Sequence, residues 1–238
     1  MNIANTGERI LLEKETPLMI ARHLKAYRFT KDFVSGKTVL DIGCGEGYGS
    51  YFLADLAEEV TGVDYDKEVI EFAKSKYQKD NLHFIAQNAE RLDSIKGGFG
   101  VICSFQCIEH ILDVDSFLKN INNLLAGKGI FICSTPNKKD ATPKGGAPFN
   151  KFHIKEYLLD EFRQLLSGYF NNVEIVGVKR GKKLNFYRAL KKMGIFNFLP
   201  QQLDPVKNFY SGIDCDNFVI TGIDLENALD FIAICRSR

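Results

Sequence analysis

The feature that most restricts this chain is a short apolar run that stops in a ladder of alternating glycines. Val39-Leu40-Asp41-Ile42 reads as a buried parallel strand, and Gly43-Cys44-Gly45-Glu46-Gly47-Tyr48-Gly49 follows at once. Residues 50–56 then read as a helix. Glycine lets a backbone take positive φ and approach a ligand that a Cβ would hold off. Strand, glycine turn and helix in this order predict the first βα unit of a nucleotide-binding α/β fold.

The spacing discriminates between nucleotides. A dinucleotide fingerprint needs G-x-G-x-x-G, and Tyr48 stands where the third glycine of that pattern would fall. The register Gly45 to Ser50 gives only a loose match. Asp41, two residues before the first glycine, would repel a pyrophosphate and suits a cationic amino-acid moiety. The pattern Asp41-x-Gly43-x-Gly45-x-Gly47 resembles motif I of the class I S-adenosylmethionine (SAM) methyltransferases. SAM carries an ammonium and a sulfonium and no phosphate. The resemblance implies SAM as cofactor, S-adenosylhomocysteine as product, and Asp41, Gly43, Cys44 and Gly45 as cofactor-binding residues.

The later segments keep the order of that family. Val60 to Asp64 reads as strand two, and Asp64 closes it 21 residues after Gly43. A carboxylate at a strand end there can accept hydrogen bonds from both ribose hydroxyls. Tyr65 can pack on the adenine, and Asp66 is an N-cap for a helix over Lys67–Tyr77. Leu82 to Ala86 reads as strand three, followed by Gln87-Asn88-Ala89. By the resemblance, Asn88 bonds the adenine amino group and the Ala89 N–H reaches a ring nitrogen. Gly100 to Phe105 reads as strand four, with Gln106-Cys107-Ile108-Glu109-His110 after it. Ligands of open α/β sheets sit at the strands' carboxyl ends where the strand order reverses. That places Phe105 against the cofactor and Glu109 and His110 beside the methyl donor.

Leu112 to Leu125 reads as an amphipathic helix with Ala126-Gly127-Lys128-Gly129 as its stop. Strands follow at Ile130–Ser134, Val173–Val178 and Phe231–Cys235, with a helix over Ile154–Leu166 and a short strand at Phe218–Ile220. The expected architecture is α/β: a Rossmann-like, seven-stranded, mostly parallel sheet with helices on both faces. It forms a single domain over 1–238, with an N-terminal helical cap over 1–36 and an insertion at 179–216 before the last strand.

Net charge is +1, so no global field drives the chain toward nucleic acid or a membrane. Six dispersed cysteines form no C-x-x-C pair, which argues against zinc and for a reduced, cytoplasmic protein. The opening residues lack the basic-then-apolar pattern of a signal peptide, and no apolar run is long enough to span a bilayer.

Two of the four histidines are candidates for a general base: His110 after strand four, and His153 at the end of a long lid-like loop over 137–152. His23 and His83 read as structural. Lysines in 138–155 and a run of seven basic residues from Lys179 to Lys192 suggest positive charge around the pocket mouth and an anionic acceptor. Leu184, Tyr187, Leu190 and Met193 recur within that run, predicting a basic amphipathic helix capable of peripheral membrane contact.

The chain also resembles the bacterial methyltransferase subgroup found with polysaccharide-building enzymes. The shared elements are Gly7-Glu8-Arg9, Glu109-His110, Ser134-Thr135-Pro136-Asn137 and Asn150-Lys151-Phe152-His153. The resemblance implies O-methylation of a sugar, sugar nucleotide or glycan precursor. Phenol or quinone methylation, an RNA methyltransferase and a dehydrogenase are the alternatives, in that order. Quinone-type relatives can carry a metal-binding Glu-x-x-Glu-His, but here Gln106 holds the first position, so no metal is expected. The sequence leaves the oligomeric state open.

Overall fold

A computed structural model of the chain describes residues 9–142, 146–194, 196 and 198–236. Gly7 and Glu8 of the Gly7-Glu8-Arg9 element and Pro143 to Gly145 of the loop lie outside these residues.

Two helices, α1 (Pro17–Phe29) and α2 (Lys31–Val34), precede β1 (Thr38–Ile42). The Thr16 side chain caps α1 by accepting from the Met19 N–H, and Pro17 fills the first turn, where a missing N–H costs nothing. The glycine turn leads into α3 (Tyr48–Leu53). Then come β2 (Glu59–Asp64), α4 (Lys67–Lys76), β3 (Leu82–Ala86), β4 (Phe99–Phe105), α5 (Val114–Leu124), β5 (Leu125–Pro136) and α6 (Lys138–Ala141). The chain ends with α7 (Leu159–Ser167), β6 (Asn172–Arg180), α8 (Lys182–Met193), α9 (Pro205–Ser211), β7 (Phe218–Thr221) and β8 (Asp230–Arg236).

The strands form one sheet in the order β3-β2-β1-β4-β5-β8-β6-β7. Its first five strands are parallel, β8 runs antiparallel between β5 and β6, and β7 pairs antiparallel with β6 at the edge. This is the Rossmann-like fold expected, with eight strands among the described residues in place of seven. The extra one is the short Phe218–Thr221 segment, which covers the hydrogen-bonding edge of β6. The order reverses between β1 and β4, which sets a crevice at their carboxyl ends.

Helices cover both faces. Strand side chains alternate, so Leu40 and Ile42 of β1 face the layer containing Phe117, Phe162 and Leu166 of α5 and α7. Val39 and Asp41 face the opposite layer, where Ala21 and Tyr27 of α1, Leu53 of α3 and Ile70 of α4 pack. The fully buried Phe162 stacks on Phe231 of β8 at 6.3 Å between ring centroids. Truncating such a ring to alanine costs about 3–5 kcal/mol.

Two expectations fail locally. Helix α5 stops at Leu124 as expected, but residues 126–129 pass straight into β5, with Leu125 paired to Phe99 of β4, and a Cβ at Gly129 would lie 2.9 Å from the Phe99 carbonyl. The helix expected from Ile154 begins at Leu159, because the backbone of the preceding residues is engaged elsewhere: Ile154 and Lys155 donate to the Glu109 carbonyl and Tyr157 bridges to Asn137. No helix among the described residues is long and apolar enough to cross a membrane.

Candidate functional site

A cavity of about 530 Å³ opens at the carboxyl ends of β1, β2 and β4, a size typical of small-molecule sites. Its floor is the turn after β1. Gly45 sits at φ 53°, and its N–H donates to Asp64 Oδ2 at 3.0 Å. The Asp66 N–H donates to Asp64 Oδ1 at 3.1 Å, so the carboxylate at the end of β2 is held from both sides. Burial raises the Asp64 carboxyl above its usual range, against the pull of these donors and of Arg9. Arg9 bonds Asp66 at 2.6 Å and donates to the Tyr65 hydroxyl at 3.2 Å, fixing an otherwise largely exposed ring at the rim.

The cavity wall gathers Gly43, Cys44, Gly45, Asp64, Tyr65, Asn88, Ala89, Phe105, His110 and His153. Asp41 is the correction. It is fully buried, does not line the cavity, and is engaged inside the protein. Ser50 Oγ donates to its Oδ2 at 2.6 Å and the Tyr27 hydroxyl donates at 3.2 Å. The cause is strand alternation: Asp41 points into the layer beneath α1 and α3, not along the strand axis into the crevice. Desolvation lifts its carboxyl to about 6 despite both hydroxyl donors. The Tyr27 ring passes over Gly49, where a Cβ would lie 2.0 Å from it, and meets Phe105 edge-on at 4.7 Å.

Opposite the glycine turn lies a cluster of titratable groups. His110 Nδ1 is 2.9 Å from the Phe152 carbonyl, which can only accept, so Nδ1 carries the proton and Nε2 is the basic nitrogen. His153 Nδ1 bonds Glu156 Oε1 at 2.8 Å, and its Nε2 takes the Asn150 amide at 3.1 Å. Thr142 Oγ1 donates to Glu156 Oε2 at 2.7 Å, so that buried carboxylate is held on both oxygens. The two imidazoles meet edge-on at 4.9 Å. Glu109 is buried beside them. Its Oε2 accepts from Thr135 at 3.1 Å, and Oε1 has no partner among the described residues. Desolvation pushes this carboxyl up to about 8, which favours its protonated form.

Ligand atoms of Glu109, His110 and His153 lie within 4.8 Å of one another, close enough for one cation to touch all three. Both nitrogens of His153 are already engaged, so such a cation would have to break the bond to Asn150 or to Glu156. Gln106, which stands at the first position of the Glu-x-x-Glu-His pattern, is held at φ 52° and donates to Ser134 and Asp230. Cys107 lines the cavity, but burial pushes its thiol up to about 12, which leaves no thiolate for nucleophilic chemistry.

The electrostatics differ from expectation in one respect. None of the described lysines of 138–155 or 179–192 lines the cavity. Lys139 and Lys179 face Glu226 and Asp224, and Lys151 and Lys155 lie over neighbouring rings. The lining acids are Glu15, Asp64, Glu90, Glu109 and Asp140, against Arg9 and Arg22. Both arginines are ion-paired, Arg22 with Asp230 of β8 at 2.6 Å. Arg22 and His23 are legible in the sequence only as residues of a capping helix. His23 lines the cavity, and burial lowers it to about 4, so it is neutral. Glu156 follows His153 at i+3, the one signal that could have revealed it.

A methyltransferase domain family model matches residues 33–194. A probable SAM-dependent methyltransferase of Mycobacterium tuberculosis is 32% identical over 181 residues, which cover 75% of this chain and 65% of that protein. The match thus spans just under two thirds of that relative. Another, from Mycolicibacterium smegmatis, is 29% identical across 96% of this chain and 93% of its own. A ubiquinone biosynthesis O-methyltransferase of Pelagibacter ubique is 37% identical over 102 residues, 42% of each chain. Among solved structures, a SAM-dependent methyltransferase of Thermotoga maritima superposes with a TM-score of 0.67 at 15% identity, covering 97% of both chains. The plantazolicin methyltransferase, solved with S-adenosylhomocysteine, superposes at 0.59 with 18% identity, covering 95% of this chain and 87% of its own. At such identities these likenesses establish the fold.

Proposed function

Because the chain belongs to the SAM-dependent methyltransferase family, we propose that it methylates a hydroxyl of a sugar, sugar nucleotide or glycan precursor. The observation that carries this reading is one cavity joining a ribose-type carboxylate, Asp64, to two histidines, His110 and His153.

The residues suit SAM on physical grounds. A Cβ at Gly45 would meet no protein atom, so the bare backbone faces open space in the cavity. Asp64 is held by backbone donors with lone pairs left to accept ribose hydroxyls. The acid-rich lining favours a ligand with ammonium and sulfonium charges over a pyrophosphate. Tyr65, Asn88 and Ala89 would hold the adenine side, and Phe105, Cys44 and Gly43 the remainder. When bound, SAM supplies an electrophilic methyl group. Asp41 acts one layer back, by fixing Tyr27 under Phe105.

Methyl transfer to a hydroxyl forms a C–O bond as a C–S bond breaks, and it releases one proton. We assign that proton to His110 Nε2, the basic nitrogen of the tautomer that Phe152 selects. Glu156 and Asn150 orient His153 against His110, and the buried Glu109 packs beside the pair. This assignment uses the cluster for proton handling and calls for no resident metal.

A sugar hydroxyl, neutral and multiply hydrogen-bonded, fits a cavity that histidines, carboxyls and Asn150 line, with no lysine among the described lining residues. Among the described lining residues only Arg9 and Arg22 are cationic and both are ion-paired, so this lining suits the hydroxyl-bearing sugar of the acceptor and not a phosphate. A phenol or quinone acceptor is the second reading, favoured by the partial match to the Pelagibacter relative. The deciding experiment incubates the protein with labelled SAM and panels of free sugars, sugar nucleotides, phenols and RNA. Label in the sugar panels supports the reading. Label confined to phenols or RNA, or NAD binding in place of S-adenosylhomocysteine by calorimetry, overturns it.

A further inference from the structure

Helix α8 has two apolar faces, and only one of them is covered. Leu184 is buried and Tyr187 stacks on Phe209 of α9 at 4.0 Å, which accounts for the inner face. Phe186, Ala189, Leu190 and Met193 recur at i, i+3, i+4 and i+7 and share the other side of the helix. Phe186 is 60% and Met193 59% exposed. Phe198 and Leu203, on the segment that follows, are 80% and 67% exposed. Burying this stripe would be favourable, and nothing in the described fold does so.

The charge around the stripe says what it fits. Residues 179–203 contain no aspartate or glutamate. Lys182, Lys183, Arg188, Lys191 and Lys192 make no salt bridge among the described residues, unlike their neighbours Lys179 and Arg180; Lys183 and Lys191 lie over the Phe209 and Tyr210 rings of the inner face, which leaves Lys182 and Lys192 beside the stripe. An apolar stripe collared by long cationic side chains matches an anionic bilayer: rings and methionine enter the acyl boundary while lysines reach the headgroup phosphates. A second copy fits poorly, because a two-fold contact across the stripe would oppose two lysine collars. Arg180, two residues before α8, lies 3.8 Å from Asp140 of the cavity wall, so the stripe begins beside the site.

We propose that α8 docks the protein on an anionic lipid surface, with Phe186, Leu190 and Met193 in the interface and the lysines on the phosphates. This stands apart from the acceptor assigned above, because vesicle binding is read without methyl transfer.

The test is flotation of the full chain with phosphatidylcholine vesicles and with vesicles containing phosphatidylglycerol. The expected result is binding to the anionic vesicles only, weakening as salt is raised. Phe186→Ser with Met193→Ser, and separately Lys182→Glu with Lys192→Glu, should each weaken it at least about tenfold. Both pairs are exposed, so melting temperature and S-adenosylhomocysteine affinity should not move. The proposal falls if neutral and anionic vesicles bind alike or if both variants bind as the parent does. It falls equally if single-stranded RNA binds more tightly than vesicles, or if light scattering reveals a dimer that Phe186→Ser dissolves.

Discussion

The Tyr27 hydroxyl of the N-terminal helix donates to Asp41 of β1 at 3.2 Å, so the acid of the glycine motif is satisfied from inside the protein. Its carboxylate ties a capping helix to the first strand, and the Tyr27 ring in turn supports Phe105 on the cavity wall.

Removing that hydroxyl leaves a buried carboxylate one donor short. Tyr27→Phe should lower stability by about 1–2 kcal/mol. Urea unfolding followed by circular dichroism measures this, and an unchanged midpoint would mean that Asp41 does not depend on Tyr27.

Asp64 and Asp41 should differ in what they do to ligand binding. Asp64→Ala should weaken S-adenosylhomocysteine at least tenfold, about 1.4 kcal/mol. Asp41→Asn should act mainly on stability, with the smaller effect on affinity. Calorimetry on both variants checks the order, and the reverse order would put Asp41 at the ligand.

His110→Ala should reduce turnover about a hundredfold or more with S-adenosylhomocysteine affinity nearly unchanged. Glu156→Gln, which alters the partner shared by His153 and Thr142, should give a smaller loss. Parent-level turnover in His110→Ala would move the base elsewhere.

Exhaustive dialysis against a chelator should leave methyl transfer unchanged. Activity lost on chelation and restored by magnesium or manganese would make Glu109, His110 and His153 a metal site, which their spacing permits.

Glu109 gives a pH dependence of defined sign. Its carboxyl moves from an ordinary value of 4.5 to about 8 in the fold. Between these values the unfolded chain releases this proton while the native protein keeps it, so stability falls as pH rises through the window. Below it both states are protonated and the full contribution is present; above about 8 the loss is complete. Each tenfold difference in proton affinity between folded and unfolded chain corresponds to roughly 1.4 kcal/mol. Urea midpoints measured across pH should decline for the parent and be flatter for Glu109→Gln.

How much of this was legible differs from residue to residue. The glycine turn, Asp64, and the His110 and His153 candidates could be named because each sits at a strand end or in a motif with fixed spacing. The Glu156 support of His153 was hidden in a stretch that reads as helix. The Arg22–Asp230 pair joins residues at opposite ends of the chain. The lysines near the loop resemble a pocket rim in the sequence, but their side chains settle against carboxylates and rings outside the cavity.

The sequence by itself determined the order of strands and helices, the carboxylate at the end of β2 and the bare backbone of the turn. Those follow from residue type and local period, which the chain carries along its length. Tertiary structure alone decided which way Asp41 faces, which nitrogen of His110 is basic, and that burial raises the Glu109 carboxyl. Each depends on partners distant in sequence and on how completely water is excluded, and neither quantity is written in any local stretch.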